Sequence, residues 1–110
     1  MDKIWRVQNI DGQGCYRQVD DELLEMNPWR PSRQPLPEDD KGIDRRILEE
    51  EYCGFESKEQ ALQWFDTEVL LKLEQVGYML TEIEGYITAR GKCQVLFVKD
   101  RASFPEVNTI

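Results

Sequence analysis

Carboxylates and arginines are the residues of this chain whose types and spacing could do chemistry. The acids fall in three runs, Asp20-Asp21-Glu22, Glu38-Asp39-Asp40 and Glu49-Glu50-Glu51. Paired acids of this kind can share acid and base duty on a glycoside, or hold magnesium or calcium. All three runs fall in loop-like stretches or at helix ends, where solvated acids are ordinary. Asp39-Asp40-Lys41-Gly42 does not complete a calcium loop, so no metal site is expected and the plainer role of the acids is structural or solubilising.

Arg17, Arg30, Arg33, Arg45 and Arg46 surround one irregular region. Arginine suits two-pronged recognition of phosphate or carboxylate. Arg6 stands within the opening stretch "IWRVQNIDGQGCYRQ", residues 4–18. Burying it without an anion would be expensive, so a solvent-facing place at a sheet edge is the plainer expectation. If the irregular region folds over the first strand, these arginines could make a local anion pocket, and Arg6, Tyr16, Arg17, Arg30 and Arg33 are the candidate ligand-binding residues.

Much other chemistry is excluded by what the chain lacks. It has no histidine, which removes histidine-based nucleophilic systems and most zinc sites. Its three cysteines, Cys15, Cys53 and Cys93, form no paired motif and read as small core or loop residues. There is no phosphate-cradling loop, and "GQG" at 12–14 lacks the rest of a dinucleotide fingerprint, so no cofactor is expected.

Length and charge narrow the reading further. At 110 residues with 40% hydrophobic content, one domain with a modest core is expected. Twenty-two acids against 14 bases give a formal charge of −8, which repels nucleic acid and anionic membranes. No stretch resembles a membrane span or a signal peptide, so the protein is expected to stay in the cytosol where it is made.

The elements that must position these residues follow from local signals. Lys3 to Gln8 alternate as a strand, with Trp5 and Val7 on one face and Ile4, Arg6 and Gln8 on the other. Asp11-Gly12 and Gly14 then turn the chain, so 4–18 reads as an edge strand and hinge first and as a ligand contact second. "DDELLEM" from Asp20 suits a short helix that four prolines, at 28, 31, 35 and 37, soon end. The irregular loop over 27–42 carries Trp29, either packed down as a plug or displayed to a partner.

A short strand is expected at Tyr52 to Phe55. Ser57 and Gln60 then fit a capping box that opens a helix with Ala61, Leu62 and Phe65 on its inner stripe. A second helix repeats Val69, Leu70, Leu73 and Val76 at helical spacing and is closed by Gly77. Strands follow at 78–83 and 86–89 with Gly85 as a bulge or bend between them. "KCQVLFVK" is apolar on both faces, which marks a central strand, and the tail over 101–110 is expected to wrap the surface or fray. The predicted fold class is α+β, a small antiparallel sheet with two short helices packed on one face and a long proline-rich loop.

The stretches "WRVQNIDGQGCYR" (5–17), "EDDKGI" (38–43), "CGFESKEQALQWF" (53–65), "LEQVGYML" (73–80) and "ARGKCQVLF" (89–97) resemble a group of small proteins from tailed bacteriophages and prophages. That resemblance carries no agreed activity and implies a setting, an infected bacterium. A narrower likeness, "RV", "GFESKEQA" and "QVLF" in order, is similar to ADP-ribosyltransferase toxins. It implies that Arg6 stands where those enzymes bind NAD, and that Lys92 and Gln94 replace their catalytic acids, leaving at most a binding-only relative.

Three functions fit. The first is a non-enzymatic module that attaches to a host or defence protein through its acidic surface and the proline-rich loop, with Trp29, Glu38, Asp39 and Asp40 as contacts. The second is a nucleotide-binding protein or a sponge for an anionic nucleotide signal, which requires Arg6, Tyr16 and Arg17 to converge on a concave site. The third is a structural or regulatory component that works as a homo-oligomer.

Overall fold

The computed structural model describes residues 1–17 and 33–100. The expected Asp20 helix, Trp29, Arg30 and the 101–110 tail lie outside the described residues, as does the side chain of Arg17.

Four strands and two helices follow in order: β1 (Asp2–Gln8), β2 (Tyr52–Gly54), α1 (Lys58–Trp64), α2 (Thr67–Gln75), β3 (Met79–Arg90) and β4 (Val95–Val98). The sheet runs β1-β3-β4-β2 with every pair antiparallel, which is the small α+β fold expected. Short 3₁₀ turns lie at Cys15–Arg17 and Pro37–Asp39.

β3 is one continuous strand, where the sequence suggested two strands broken at Gly85. Its residues 79–85 pair with β1 and residues 86–90 with β4, and the register shift falls between Ile87 and Ala89 instead. Gly85 has a packing reason. A Cβ there would lie 3.0 Å from both Ile4 Cδ1 and Phe97 Cδ2. Gly54 is tighter still, since its Cβ would meet Ile4 Cγ2 at 2.6 Å. Two glycines thus leave room for one isoleucine and one phenylalanine, and the sheet curls around them.

The curl brings the two ends of the sheet together. Trp5 and Phe55 exchange backbone hydrogen bonds of 2.8 and 2.7 Å, so β1 is paired beyond the edge position expected of it. Closure hides backbone groups that an open edge would present for aggregation. Inside lie Ile4, Val95 and Phe97, with Ile83 and Ile87 against them. β4 is fully buried along its length, as its apolar load on both faces implied.

The helices cover the outer face. Ala61, Phe65, Val69 and Leu73 pack with Val7, Cys15, Phe55 and Tyr78. Ser57 Oγ accepts the Gln60 N–H at 3.1 Å, and Gln60 Oε1 accepts the Glu56 N–H at 2.8 Å, a capping box displaced by one residue at its return bond. Gly77, at φ +92°, ends α2, with the N–H of Tyr78 bonded to Leu73 O and that of Gly77 to Glu74 O. Leu62 and Val76 are exposed, contrary to the inner stripe expected of them. Each helix is only about two turns long, so a pair of residues at i and i+4 fills the contact and the third apolar residue turns away.

Candidate functional site

β1 and β4 both run antiparallel to β3 and therefore parallel to each other. Strand alternation puts Arg6 on the face of Ile4, and Lys99 on the face of Phe97. Both cations therefore emerge at the same end of the curled sheet. Tyr52, opposite Phe97 in the β2–β4 pair, reaches that end too.

The side chains meet there. Arg6 donates from Nε to Cys53 O at 3.1 Å, and from Nη1 to Gly12 O at 2.9 Å and Gln8 Oε1 at 3.3 Å. Lys99 Nζ lies 3.4 Å from the same Gly12 carbonyl. Arg6 sits over the Tyr52 ring at 5.4 Å and Lys99 at 4.4 Å, both in cation–π range. Gly12 needs its glycine, with φ +81°. Asn9 Oδ1 further fixes the turn by accepting the N–H groups of Asp11 and Gln13.

Behind Arg6 opens a cavity of about 90 Å³ lined by Gly14, Cys15, Tyr16, Cys53, Phe55 and Trp64. Trp64 Nε1 donates to the Tyr16 hydroxyl at 2.7 Å. Desolvation of that hydroxyl pushes its pKa up to about 12, although the residue as a whole is exposed. Burial likewise raises the Cys15 thiol to about 11 and raises Cys53, with the Arg6 charge pulling each back in part. At neutral pH these sulfurs stay as thiols, which are poor nucleophiles. Burial also lowers the proton affinity of Arg6, and that of Lys99, on which Arg6 adds repulsion.

Of the arginine pocket expected from the sequence, Arg6 and Tyr16 come together and the other members described do not. Arg33 is exposed. Arg45 is spent on Glu51, with bonds of 2.7 and 2.9 Å, and Arg46, 88% exposed, lies 3.5 Å from Glu38. Arg6 itself is half-buried and held through Nε and Nη1 by carbonyl oxygens, where the sequence left a choice between solvent and an anion.

The acids divide by burial. Glu38 and Asp39 are exposed on their 3₁₀ turn. Asp40, expected beside them on the surface, is 1% exposed, and its carboxylate accepts the backbone N–H groups of Lys92, Cys93 and Gln94 at 2.7 to 3.2 Å. Gln94 Nε2 also reaches Pro35 O at 2.8 Å. Residues 35–40 are thereby tied to the turn between β3 and β4.

Lys99, Tyr52 and Glu51 are the site residues that sequence reasoning passed over. Period-two alternation gives Lys99 the face of Phe97 but not its neighbours, and Tyr52 reaches that face only through the β2–β4 register. For Glu51 nothing distinguishes it from Glu49 and Glu50 beside it.

A family model described as Bacteriophage T4 Y00F protein matches residues 1–110. The chain belongs to that family. Neither a curated protein nor a solved structure shows a significant match to it. The family sets this chain among phage proteins, as the quoted stretches implied. Among its described residues, no helix is long and apolar enough to cross a membrane.

Proposed function

We propose that this phage protein works in the cytoplasm of the infected host by binding a host or defence protein and hindering it, without catalysis. One observation carries the reading. The Asp40 carboxylate pins its segment from below, so that Leu36, 62% exposed, and the acids Glu38 and Asp39 stand on a fixed turn above it. A rigid surface loses little entropy on association, and an apolar contact ringed by acids suits a partner's basic face. The exposed Arg46–Glu38 pair is weak and gives way readily to a partner cation.

The test is affinity purification from infected cells with the tagged chain, followed by the same capture with Glu38→Lys combined with Asp39→Lys. A specific protein retained by the first and lost by the second, with both chains folded, supports the reading. Equal retention by both, or turnover of a substrate by the purified chain, sinks it.

A second reading, nucleotide binding, is favoured by Arg6 and Tyr16 lining one cavity. Thermal denaturation with NAD or cyclic nucleotides separates it from the first, since only a nucleotide binder gains stability.

A further inference from the structure

Arg6 and Lys99 both reach for Gly12 O, so their charges lie no further apart than two such contacts laid end to end. Like charges at that separation repel, and more strongly where burial lowers the dielectric constant. A carbonyl dipole and an aromatic face soften the repulsion without cancelling it. Among the described residues neither cation makes an ion pair with a carboxylate, although acids outnumber bases by 22 to 14. Arg45, Arg46 and Arg90 do meet acids: Arg45 meets Glu51, Arg46 meets Glu38, and Arg90 meets Glu56 and Asp2.

Donors are left over as well. Arg6 uses Nε and Nη1, while its Nη2 has no acceptor among the described residues. Lys99 has three N–H bonds and one long contact. Gly14 keeps the approach to Arg6 open, because a Cβ there would sit 3.0 Å from Nη2. The cavity behind Arg6 is lined by aromatic rings, suited to an uncharged flat group rather than to a second anion.

We propose that Arg6 and Lys99, gathered on the Gly12 carbonyl beside the Tyr52 ring, bind the phosphate group of a small phosphate ester, whose uncharged part enters the cavity lined by Tyr16 and Trp64. A phosphate offers several oxygens to a planar guanidinium and an ammonium at once, and its charge removes their repulsion. The site deepens the nucleotide reading and is independent of the partner-protein one. It also adds Lys99, which no part of the opening stretch pointed to.

Isothermal titration of the full chain with inorganic phosphate, AMP and adenosine, at matched ionic strength, tests it. Phosphate and AMP should bind and raise the melting temperature, AMP the more tightly, while adenosine should do neither. Lys99→Gln should weaken both about tenfold, the loss of one charge-assisted contact, without lowering the melting temperature of the free chain. Arg6→Lys, which keeps the charge and removes the fork, should weaken them further. Should that variant fail to fold, since Arg6 also holds Gly12 and Cys53, Lys99→Gln decides alone. Phosphate binding without any advantage for AMP would keep the cation site and end the nucleotide reading. AMP binding untouched by Lys99→Gln would overturn the cation site and leave the nucleotide reading standing. No heat beyond that of added sodium chloride would end both.

Discussion

Asp40 shows how much one buried carboxylate can organise when its acceptors face backbone amides. Three consecutive N–H groups of the β3–β4 turn point at it, and Gly91 is so close that a Cβ there would lie 2.4 Å from Oδ2. Asp40→Asn replaces one acceptor by an NH₂ that faces amide donors. That should cost about 2 kcal/mol in urea denaturation, and also release the Leu36–Asp39 turn. Glu51 is the other buried acid, and its case is one of pH. Burial alone would raise its pKa, but the Arg45 fork, the Thr88 hydroxyl and the Leu48 N–H outweigh burial and hold it at about 2. Since the folded value lies below the ordinary glutamate value of about 4.3, the stabilisation is complete above that pH and is lost as pH falls towards 2. Glu51→Gln should cost on the order of 2 kcal/mol at neutral pH, a figure discounted for the partial exposure of Arg45. The gap between wild type and variant should close between about pH 4.3 and pH 2, read from denaturant midpoints across that range. A gap independent of pH would mean that packing, and not charge, fixes the residue.

At the scale of elements, two glycines make opposite demands. Gly77 needs a positive φ, +92°, and nothing lies within 4 Å of a Cβ built on it. Gly77→Ala therefore meets only backbone strain, about 1 kcal/mol. Gly54 has an unremarkable backbone, but its Cβ would press into Ile4 and Phe97. Gly54→Ala should cost about 2–3 kcal/mol through overpacking, so the order of the two urea midpoints is the check. The contrast also explains what the sequence could disclose. Gly77 and the Ser57–Gln60 cap were legible because their chemistry is local, settled within five residues of chain. Leu62 and Val76 were not, because a two-turn helix leaves its buried stripe to be chosen by the sheet beneath. Gly85 looked like a bend because a strand glycine signals either a bulge or a close approach, and only the position of Ile4 decides. The candidate site was half legible. Arg6 and Tyr16 share the opening stretch, whereas Lys99 joins them through the parallel course of β1 and β4, which no local pattern reveals.

For the molecule as a whole, closure is the property on which both sides of the sheet depend. The inner cluster around Phe97 and the outer cluster around Phe65 are separated by the same strands, so neither can open without disturbing the other. The join is narrow: the Trp5–Phe55 pair is an isolated bridge, with two hydrogen bonds and no ladder beyond it. A bridge that merely touched would fray, and its amides would exchange with solvent long before global unfolding. Yet Trp5 packs on the outer core, and Phe55 lies within it, 6.2 Å from Phe65 and edge-on to it. Apolar packing on the bridge's own side chains should therefore make it open only with the core. In native-state hydrogen exchange the Trp5 and Phe55 amides should show the same opening free energy as those of Leu96 and Phe97. Phe97→Ala, which empties the inner side, should lower all four by a common amount of about 3–5 kcal/mol. Rapid exchange at Trp5 and Phe55 with β4 still protected would instead describe an open sheet. The mouth that gathers Arg6, Tyr52 and Lys99 would then lose the fixed geometry on which its affinity for phosphate rests.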